Sequence, residues 1–170
     1  PSVHAHLEAE SPDDVIDFVC GPDRTPVQIA KSSVLCEFSE KADEVNEKML
    51  ARLEGEVKSY RGIDMSLNGR IDSMPEWTMK ETPAGFPPFE LRLKVGAIVY
   101  VLKDLDPSNG LWTGVRLMVT QLGDELITCE RIGDCEGDRV VVLSKCKFET
   151  DHFYRNQFPL RLAYAMTLKD

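Results

Sequence analysis

The sequence predicts a mixed α+β fold, in which one α/β unit is followed by a small antiparallel β module and a returning segment. Three observations support this prediction. Apolar residues recur at helical spacing between Ala42 and Leu53, directly after a short apolar run. Beyond Gly85, short β-type runs alternate with Gly, Asp, Asn and Pro. Residues 158–167 form a second apolar run, which predicts either a buried strand that rejoins the first sheet or the start of a helix.

The first 55 residues contain helix-start signals on either side of one strand. Ser11-Pro12, followed by two Asp residues, predicts a helix to about residue 20, and Thr25-Pro26 predicts a further helical turn. Residues 33–38 predict a short buried strand. Ser39 then opens an amphipathic helix that ends at Gly55. A strand followed by an amphipathic helix is one unit of an α/β sheet.

Residues 56–88 lose clear periodicity and contain several Gly and Pro residues. We predict a strand at 57–61, a helical turn near 75–79 and a Pro-rich entry to the next unit. The β-type runs that follow predict a small barrel or meander, and they cover residues 90–93, 97–102, 116–122, 126–132, 139–143 and 147–150.

Two groups of residues are expected to define this β module. Three glycines are predicted at its bends or turns, and they are Gly96, Gly110 and Gly114. Four apolar side chains are predicted to face its core, and they are Val99, Val101, Leu117 and Val119.

The charge distribution separates the chain into two different surfaces. The 170 residues carry a net charge of −9, and their hydrophobic content of 42% is sufficient for a core. Residues 1–90 contain 9 Lys/Arg and 18 Asp/Glu, whereas residues 91–170 contain 11 of each. We therefore expect the acidic first half to repel phosphate at long range, so that any contact with nucleic acid is local and is made mainly by the second half.

Several classes of protein are not indicated by the sequence. No run of 18 apolar residues occurs and the first residues lack the pattern of a signal peptide, so we expect an intracellular protein without a membrane span. The odd number of cysteines, without zinc-knuckle spacing, predicts reduced thiols at Cys20, Cys36, Cys129, Cys135 and Cys146. His4 and His6 have no third ligand nearby, so no metal site is predicted.

No pattern in the sequence indicates a catalytic site. There is no nucleophile elbow, no phosphate-binding loop of the G-x-x-x-x-G-K-[ST] type and no pair of carboxylates in a shaped context. The residues by themselves therefore predict no catalytic group and no cofactor in this chain.

Four blocks of the sequence carry a resemblance to a known family. They are SPDDVIDFVCG, VLCEFSEKADEVNEKMLARLEGEVKSY, AGFPPFELRLKVGAIVYVLKDLDPSNGLWTGVRLMVTQLGDELI and QFPLRLAYAMTLKD. In this order and spacing they resemble the C-terminal half of the DNA helicases of Helitron transposons, which belong to the petite-integration-frequency (PIF) family within helicase superfamily 1B. The resemblance covers residues 11–170.

The resemblance implies a more specific fold and domain organisation. Residues 1–85 are expected to form part of the second RecA-like domain (2A) with an irregular linker. Residues 86–150 are expected to form an inserted SH3-like antiparallel β-barrel (2B), and residues 151–170 a strand that returns to the 2A sheet. The phosphate loop and Mg²⁺-binding acids of the family belong to the first RecA-like domain. ATP and Mg²⁺ are thus expected in the complete motor, and no cofactor in this chain.

The resemblance also implies single-stranded DNA as a partner and suggests which residues contact it. Thr167 lies where the family's motif approaches the DNA backbone, and Lys94, Arg116 and Lys169 are candidates for phosphate contacts. Trp112 is a candidate for base stacking. The alternatives are solvated surface charge for the basic residues and a place in the module's core or rim for the aromatic residue. Binding by this chain alone is expected to be weak.

Three further positions bear on these expectations. Phe86 and Phe89 are further candidates for base stacking, with the same alternative. Asn46 is expected to brace its helix rather than to contact a ligand. In addition, the family commonly has Pro-Thr-Asn where this chain has Glu37-Phe38-Ser39, a change that removes a polar group expected near DNA.

Two functions from different classes follow. In the first, the chain is a fragment of an ATP-dependent 5′-to-3′ DNA helicase of the PIF/Helitron type, which is expected to be nuclear and to act in DNA repair and recombination, and it is inactive as an enzyme by itself. In the second, it is a domesticated helicase remnant that acts as a non-enzymatic scaffold and binds a protein partner through its acidic first half.

Overall fold

The structure, a computed structural model, describes residues 12–19, 26–67, 82–133 and 137–167. Within those ranges the helices are α1 (Pro12–Val19), α2 (Pro26–Ala30) and α3 (Ser39–Arg52), and a 3₁₀ turn covers Pro107–Asn109. The strands are β1 (Val34–Cys36), β2 (Lys58–Arg61), β3 (Ile63–Ser66), β4 (Glu90–Leu93), β5 (Ile98–Val101), β6 (Arg116–Leu122), β7 (Ile127–Arg131), β8 (Val140–Leu143), β9 (Cys146–Glu149), β10 (Phe153–Gln157), β11 (Leu160–Leu162) and β12 (Ala165–Thr167).

The described strands pair into a parallel ladder and several antiparallel ones. β1 and β12 pair in parallel, β2 pairs with β4, and β10 lies between β3 and β9. A five-stranded antiparallel sheet has the order β11-β5-β6-β7-β8. Among the described residues no ladder joins β8 to β11, so the closed SH3-like barrel expected from the sequence is not confirmed.

Most predicted elements are confirmed, and the differences lie where polar residues interrupt the pattern. The predicted run at 116–122 coincides with β6, and residues 158–167 form the strands β11 and β12 rather than a helix. β3 and β10 were not predicted. β1 is shorter than expected and is not fully buried, because Leu35 is exposed. The helical turn near 75–79 lies outside the described residues.

α3 forms because its apolar side chains fall on one helical face. Ala42, Val45 and Met49 are buried on that face, in a cluster that also contains Ile98 and Tyr100 of β5. Burying a Val or Met side chain contributes about 1.5–3 kcal/mol relative to exposure. The neighbouring Leu50 instead joins the core of the five-stranded sheet, so α3 connects the two clusters.

The core of the β module lies where the sequence predicts it. Val99, Val101, Leu117 and Val119 are fully buried, and they pack with residues of β2, β4, β7 and β8. The three glycines predicted at turns have positive φ angles of 92° at Gly96, 72° at Gly110 and 94° at Gly114. Gly114 is the third residue of a turn in which the Val115 N–H donates to the Trp112 carbonyl at 3.2 Å. Both predictions are confirmed.

A buried polar network joins the segment before β4 to β10. The Arg155 and Asp64 side chains are fully buried, with Nε–Oδ1 and Nη2–Oδ2 distances of 2.8 and 3.0 Å. Arg155 also donates to the Pro87 carbonyl at 3.1 Å. The Gln157 amide donates to the Tyr60 carbonyl at 2.8 Å and to the Phe89 carbonyl at 3.1 Å. Side chains of β10 therefore hold the backbone on both sides of residues 68–81.

Cys36, Cys129 and Cys146 are free thiols, as predicted, whereas Cys20 and Cys135 lie outside the described residues. Burial raises the pKa of the Cys129 thiol to about 12, so this side chain packs as a neutral, weakly polar group. No described helix is long and apolar enough to span a membrane.

Candidate nucleic-acid interface

The parallel ladder of β1 and β12 brings two distant parts of the chain to one edge. Cys36 pairs with Thr167, so the carboxyl ends of the two strands lie side by side. The residues that follow β1, Glu37-Phe38-Ser39, lead directly into α3. Phe38 is exposed, and it precedes the helix without a side-chain cap. Thr167 therefore lies beside the segment in which this sequence departs from the helicase pattern.

Asn46 holds β12 in place at this edge. Its side-chain amide donates to the Ala165 carbonyl at 2.9 Å, and its carbonyl oxygen accepts from the Ala165 N–H at 2.8 Å. Asn46 is buried. The expectation that Asn46 has a bracing role is confirmed, although it braces β12 against α3 rather than the helix alone.

A groove of about 880 Å³ lies beside this edge, between the start of α3, the segment 82–92 and β11. Thr167 and Glu37-Phe38-Ser39 contribute to its lining. Its charged residues are mostly acidic, and they are Glu37, Glu40, Asp43, Glu47, Glu90, Arg92 and Arg161. The two arginines form ion pairs within the groove, Arg92 with Glu47 at 3.1 Å and Arg161 with Asp43 at 3.6 Å. The groove thus has a net negative charge, which opposes phosphate.

A second cleft, of about 530 Å³, has the opposite charge. Its charged residues are Lys31, Arg116 and Arg131, and it is completed by Trp112 and Ile132 among others. The Trp112 side chain is 49% exposed. An exposed indole beside several cations is a combination that suits single-stranded nucleic acid, since bases stack on aromatic faces and phosphates favour nearby positive charge.

The two arginines of this basic cleft are fixed by backbone carbonyls. Arg116 Nη2 donates to the Ser32 carbonyl at 2.9 Å and to the Ala163 carbonyl at 2.8 Å, and desolvation lowers the pKa of Arg116. Arg131 donates to the carbonyls of Asp138 at 2.6 Å and Gly110 at 2.9 Å. Neither guanidinium forms an ion pair with a described carboxylate, but Arg131 is buried, so the exposed Lys31 and the partly exposed Arg116 are the accessible cations of the cleft.

Comparisons with known proteins show what the chain is related to. The family model described as "DNA helicase Pif1, 2B domain" matches residues 82–122. The ATP-dependent DNA helicase PIF1 of Rattus norvegicus is 30% identical over 140 residues, which are 79% of this chain and 20% of that protein. This chain is related to the Pif1 helicases. The PIF-family resemblance predicted from the sequence is thereby confirmed.

Solved structures of Pif1 helicases share the fold. Pif1 from Candida albicans is 22% identical with a TM-score of 0.61, over 79% of this chain and 35% of that one. Bacteroides Pif1 bound to single-stranded DNA is 19% identical with a TM-score of 0.59, over 95% of this chain and 40% of that one. The Pif1-like chain therefore spans between a fifth and two fifths of the length of these relatives.

The predicted contact residues of the Pif1-like chain do not converge on one place. Thr167 lies at the acidic groove, whereas Trp112 and Arg116 line the basic cleft. Lys169 lies outside the described residues. The predicted phosphate contact of Lys94 is wrong. The Lys94 side chain is buried, and its ammonium donates to the Leu53 carbonyl at 2.7 Å, just beyond the end of α3. A cation at a helix C-terminus is stabilised by the helix dipole, and this role replaces the expected phosphate contact.

The phenylalanines considered for base stacking also have other contacts. Phe86 is buried against Phe148 and Phe153, with ring centroids 5.6 and 5.9 Å apart, so the core interpretation is the correct one. Phe89 is half-buried and lies 5.4 Å from the Arg61 guanidinium. Lys31 and Arg131 were missed as cleft residues, because nothing in the local sequence shows that Lys31 lies at a cleft or that Arg131 is buried beside it.

Replacing Asn46 with Ala tests the bracing contact of the Pif1-like chain. The substitution leaves the Ala165 N–H and carbonyl buried without partners, and each such group costs about 1–3 kcal/mol. We expect the free energy of unfolding in urea to fall by about 2–4 kcal/mol. Glu40→Ala, an exposed change on the same helix, is the control. Equal midpoints for the two variants would contradict the assigned contact.

Proposed function

We propose that the chain supplies part of the second motor domain and the 2B surface of an ATP-dependent 5′-to-3′ DNA helicase of the PIF/Helitron type that acts in the nucleus. The observation that carries this proposal is the chain's topology. β1 and β12 pair in parallel, and the residues that match the Pif1 2B family lie between them in sequence. A β module inserted into a RecA-like sheet has this arrangement. DNA repair and recombination are the processes in which such a motor would act.

Single-stranded DNA is the partner under this proposal. It is supported by the exposed Trp112 beside Lys31 and the partly exposed Arg116, and by the fold shared with a Bacteroides Pif1 that was solved with single-stranded DNA. Bases would stack on the indole while the backbone passes the cations. Thr167, the last residue of β12, would contact the DNA backbone, and so would Lys169.

The chain's role in the motor is guidance of the strand rather than chemistry. ATP and Mg²⁺ are cofactors of the complete motor, and the proposal assigns none of their ligands to this chain. The net charge of −9 and the acidic groove oppose DNA, so the basic cleft must act at short range.

A fluorescence-anisotropy titration with labelled oligothymidine tests the proposal. We expect weak binding that becomes weaker as salt rises, because phosphate contacts release counterions. Trp112→Ala should cost about 1–3 kcal/mol of binding free energy through lost stacking. Val142→Ala removes an exposed apolar side chain that lies outside the basic cleft, and it should leave binding unchanged. Nanomolar affinity at physiological salt would contradict the expected weak binding, whereas equal binding by both variants, or no binding at low salt, would overturn the proposal.

The second candidate function, a non-enzymatic scaffold, is favoured by one observation. The groove beside Thr167 contains five carboxylates and two arginines, and both arginines are already paired with acids. Such a surface suits a basic protein segment better than DNA. If this function is correct, the chain binds no oligothymidine even at low salt. It should instead bind an oligolysine peptide, and the paired change Glu37→Gln with Glu40→Gln should weaken that binding.

A further inference from the structure

β8 forms one edge of the five-stranded sheet, and within the described part of the chain only β7 pairs with it. Next to this ladder the Arg131 N–H donates to the Arg139 carbonyl at 2.9 Å. Hydrogen-bonded and non-bonded pairs alternate along an antiparallel ladder. In the observed register Val141 and Leu143 are therefore hydrogen-bonded to β7, whereas Val140 and Val142 direct their N–H and carbonyl groups outward from the sheet edge.

The outward-directed residues also have exposed side chains. Val140 is 53% exposed and Val142 is 56% exposed, whereas Val141 and Leu143 are buried in the core. Edge strands are commonly protected by Pro, by charged side chains or by a bulge. β8 contains only Val and Leu, and its register with β7 has no bulge. It is a regular strand whose backbone is available for pairing.

A groove of about 340 Å³ runs along this edge. It is lined by all four residues of β8 and by the opposite segment 105–111. Leu105, Leu111 and Cys146 contribute an apolar part to a lining that is mostly polar. Its charged lining residues are Asp106 and Asp138, and neither forms an ion pair with a described cation. The groove therefore combines some apolar surface with two carboxylates, which accept from Ser108 Oγ at 2.9 Å and Asn109 Nδ2 at 3.2 Å and form no ion pair with a described cation.

The wall of this groove opposite β8 is held in one position. Arg131 donates to carbonyls of the segment at Asn109 and Gly110, and the Asp138 N–H donates to the Asn109 side-chain oxygen at 3.0 Å. Gly137 has a φ of 95°, and a Cβ there would clash with the Asn109 carbonyl oxygen. A preformed groove reduces the entropy that binding must overcome.

We propose that this groove is a docking site for an extended, basic segment of a partner protein, which adds a strand to the free edge of β8. The added strand would hydrogen-bond to the backbone of Val140 and Val142. Because side chains alternate across a strand, its residue opposite Val141 would point into the groove. A Lys or Arg on the same segment would pair with Asp106 and Asp138. The site shares no lining residue with the basic cleft or the acidic groove, so it does not depend on the proposed function.

A second copy of this chain fits the edge less well. Pairing β8 with itself would bring in Arg139 and Lys145, the cations that flank the strand, and Arg139 is already paired with Glu130 at 3.7 Å. The net charge of −9 per chain opposes self-association. Charge complementarity therefore favours a basic partner.

The test uses two blocked heptapeptides, Lys-Thr-Val-Thr-Val-Thr-Lys and the same sequence with Glu in place of both Lys residues. Amide hydrogen exchange by NMR, with the whole chain, should show the lysine peptide protecting the Val140 and Val142 amides. The affinity of the glutamate peptide should be lower by a factor of about ten or more. Asp106→Asn combined with Asp138→Asn should remove this difference. Equal binding of both peptides to the unsubstituted chain, or protection elsewhere, would overturn the proposal.

Two backbone changes separate strand addition from non-specific attraction. Val142→Pro removes one outward N–H at an edge position where Pro is tolerated. The lysine peptide should bind this variant about tenfold more weakly than it binds Val142→Thr. A lysine peptide with N-methylated valines should also lose binding, a result that does not depend on how well the Pro variant folds. Unchanged binding of that peptide would contradict strand addition. Protection that rises with protein concentration, without peptide, would instead identify a second copy as the occupant and overturn the proposal.

Discussion

Val119→Asp should unfold the five-stranded sheet. Val119 is fully buried on β6, between the β5 and β7 strands that flank it in the sheet. An unpaired carboxylate at this position costs several kcal/mol, against a total stability of about 5–15 kcal/mol for a typical domain. Circular dichroism should show loss of the cooperative thermal transition, or a fall in Tm far larger than that of an exposed substitution.

The matched control is Val142→Asp, which places the same charge on the same sheet. Val142 is exposed on β8, so its carboxylate would remain in water and the Tm should change little. If the two variants melt at the same temperature, the assignment of β6 side chains to the core is wrong.

Arg155→Met should destabilise the chain by about 3–5 kcal/mol, because it leaves the Asp64 carboxylate buried without its partner. The same substitution also removes the hydrogen bond from Arg155 to the Pro87 carbonyl. Urea denaturation followed by circular dichroism measures the change. Arg92→Met is the matched control, since Arg92 forms its ion pair with Glu47 at the surface, where such a pair contributes about 0–1 kcal/mol.

A double variant distinguishes charge burial from loss of packing. Arg155→Met combined with Asp64→Leu removes both charges, and buried ion pairs can often be replaced by apolar residues at little cost. We expect the double variant to recover most of the stability lost in Arg155→Met. A double variant as unstable as the single one would show that the hydrogen bonds of Arg155 to the backbone, rather than the stranded carboxylate, account for the loss.

Local patterns in the sequence were sufficient for most of the fold. The alternation in residues 116–122 and the helical spacing from Ala42 to Met49 are properties of short segments, so β6 and α3 were predictable. β3 and β10 were not, because their buried positions include Asp64 and Arg155, which read as surface residues in sequence. The burial of these two side chains depends on a contact between residues 91 positions apart, and local patterns in one sequence do not contain such a contact.

The candidate interface was predictable to a smaller extent. The family resemblance placed Thr167 at a strand end, and the structure shows which segment lies beside it. The charge of the surrounding groove could not be inferred, because its carboxylates come from the segment before α3, from α3 itself and from the start of β4. Lys94 was misjudged for a related reason: its position at the end of α3 depends on how β4 packs against that helix.

The pairing of β1 with β12 has a consequence for the order of events during synthesis. Val34 pairs with Ala165, so one half of this ladder leaves the ribosome 131 residues before the other. Closing so long a loop as an unfolded chain is entropically costly and slow. A β module that has already folded shortens the effective separation, because β11 is then held against β5, close to β12. We therefore expect the inserted module to fold first. The N-terminal segment is synthesised earlier, but its apolar helix faces should be buried only after the module has folded.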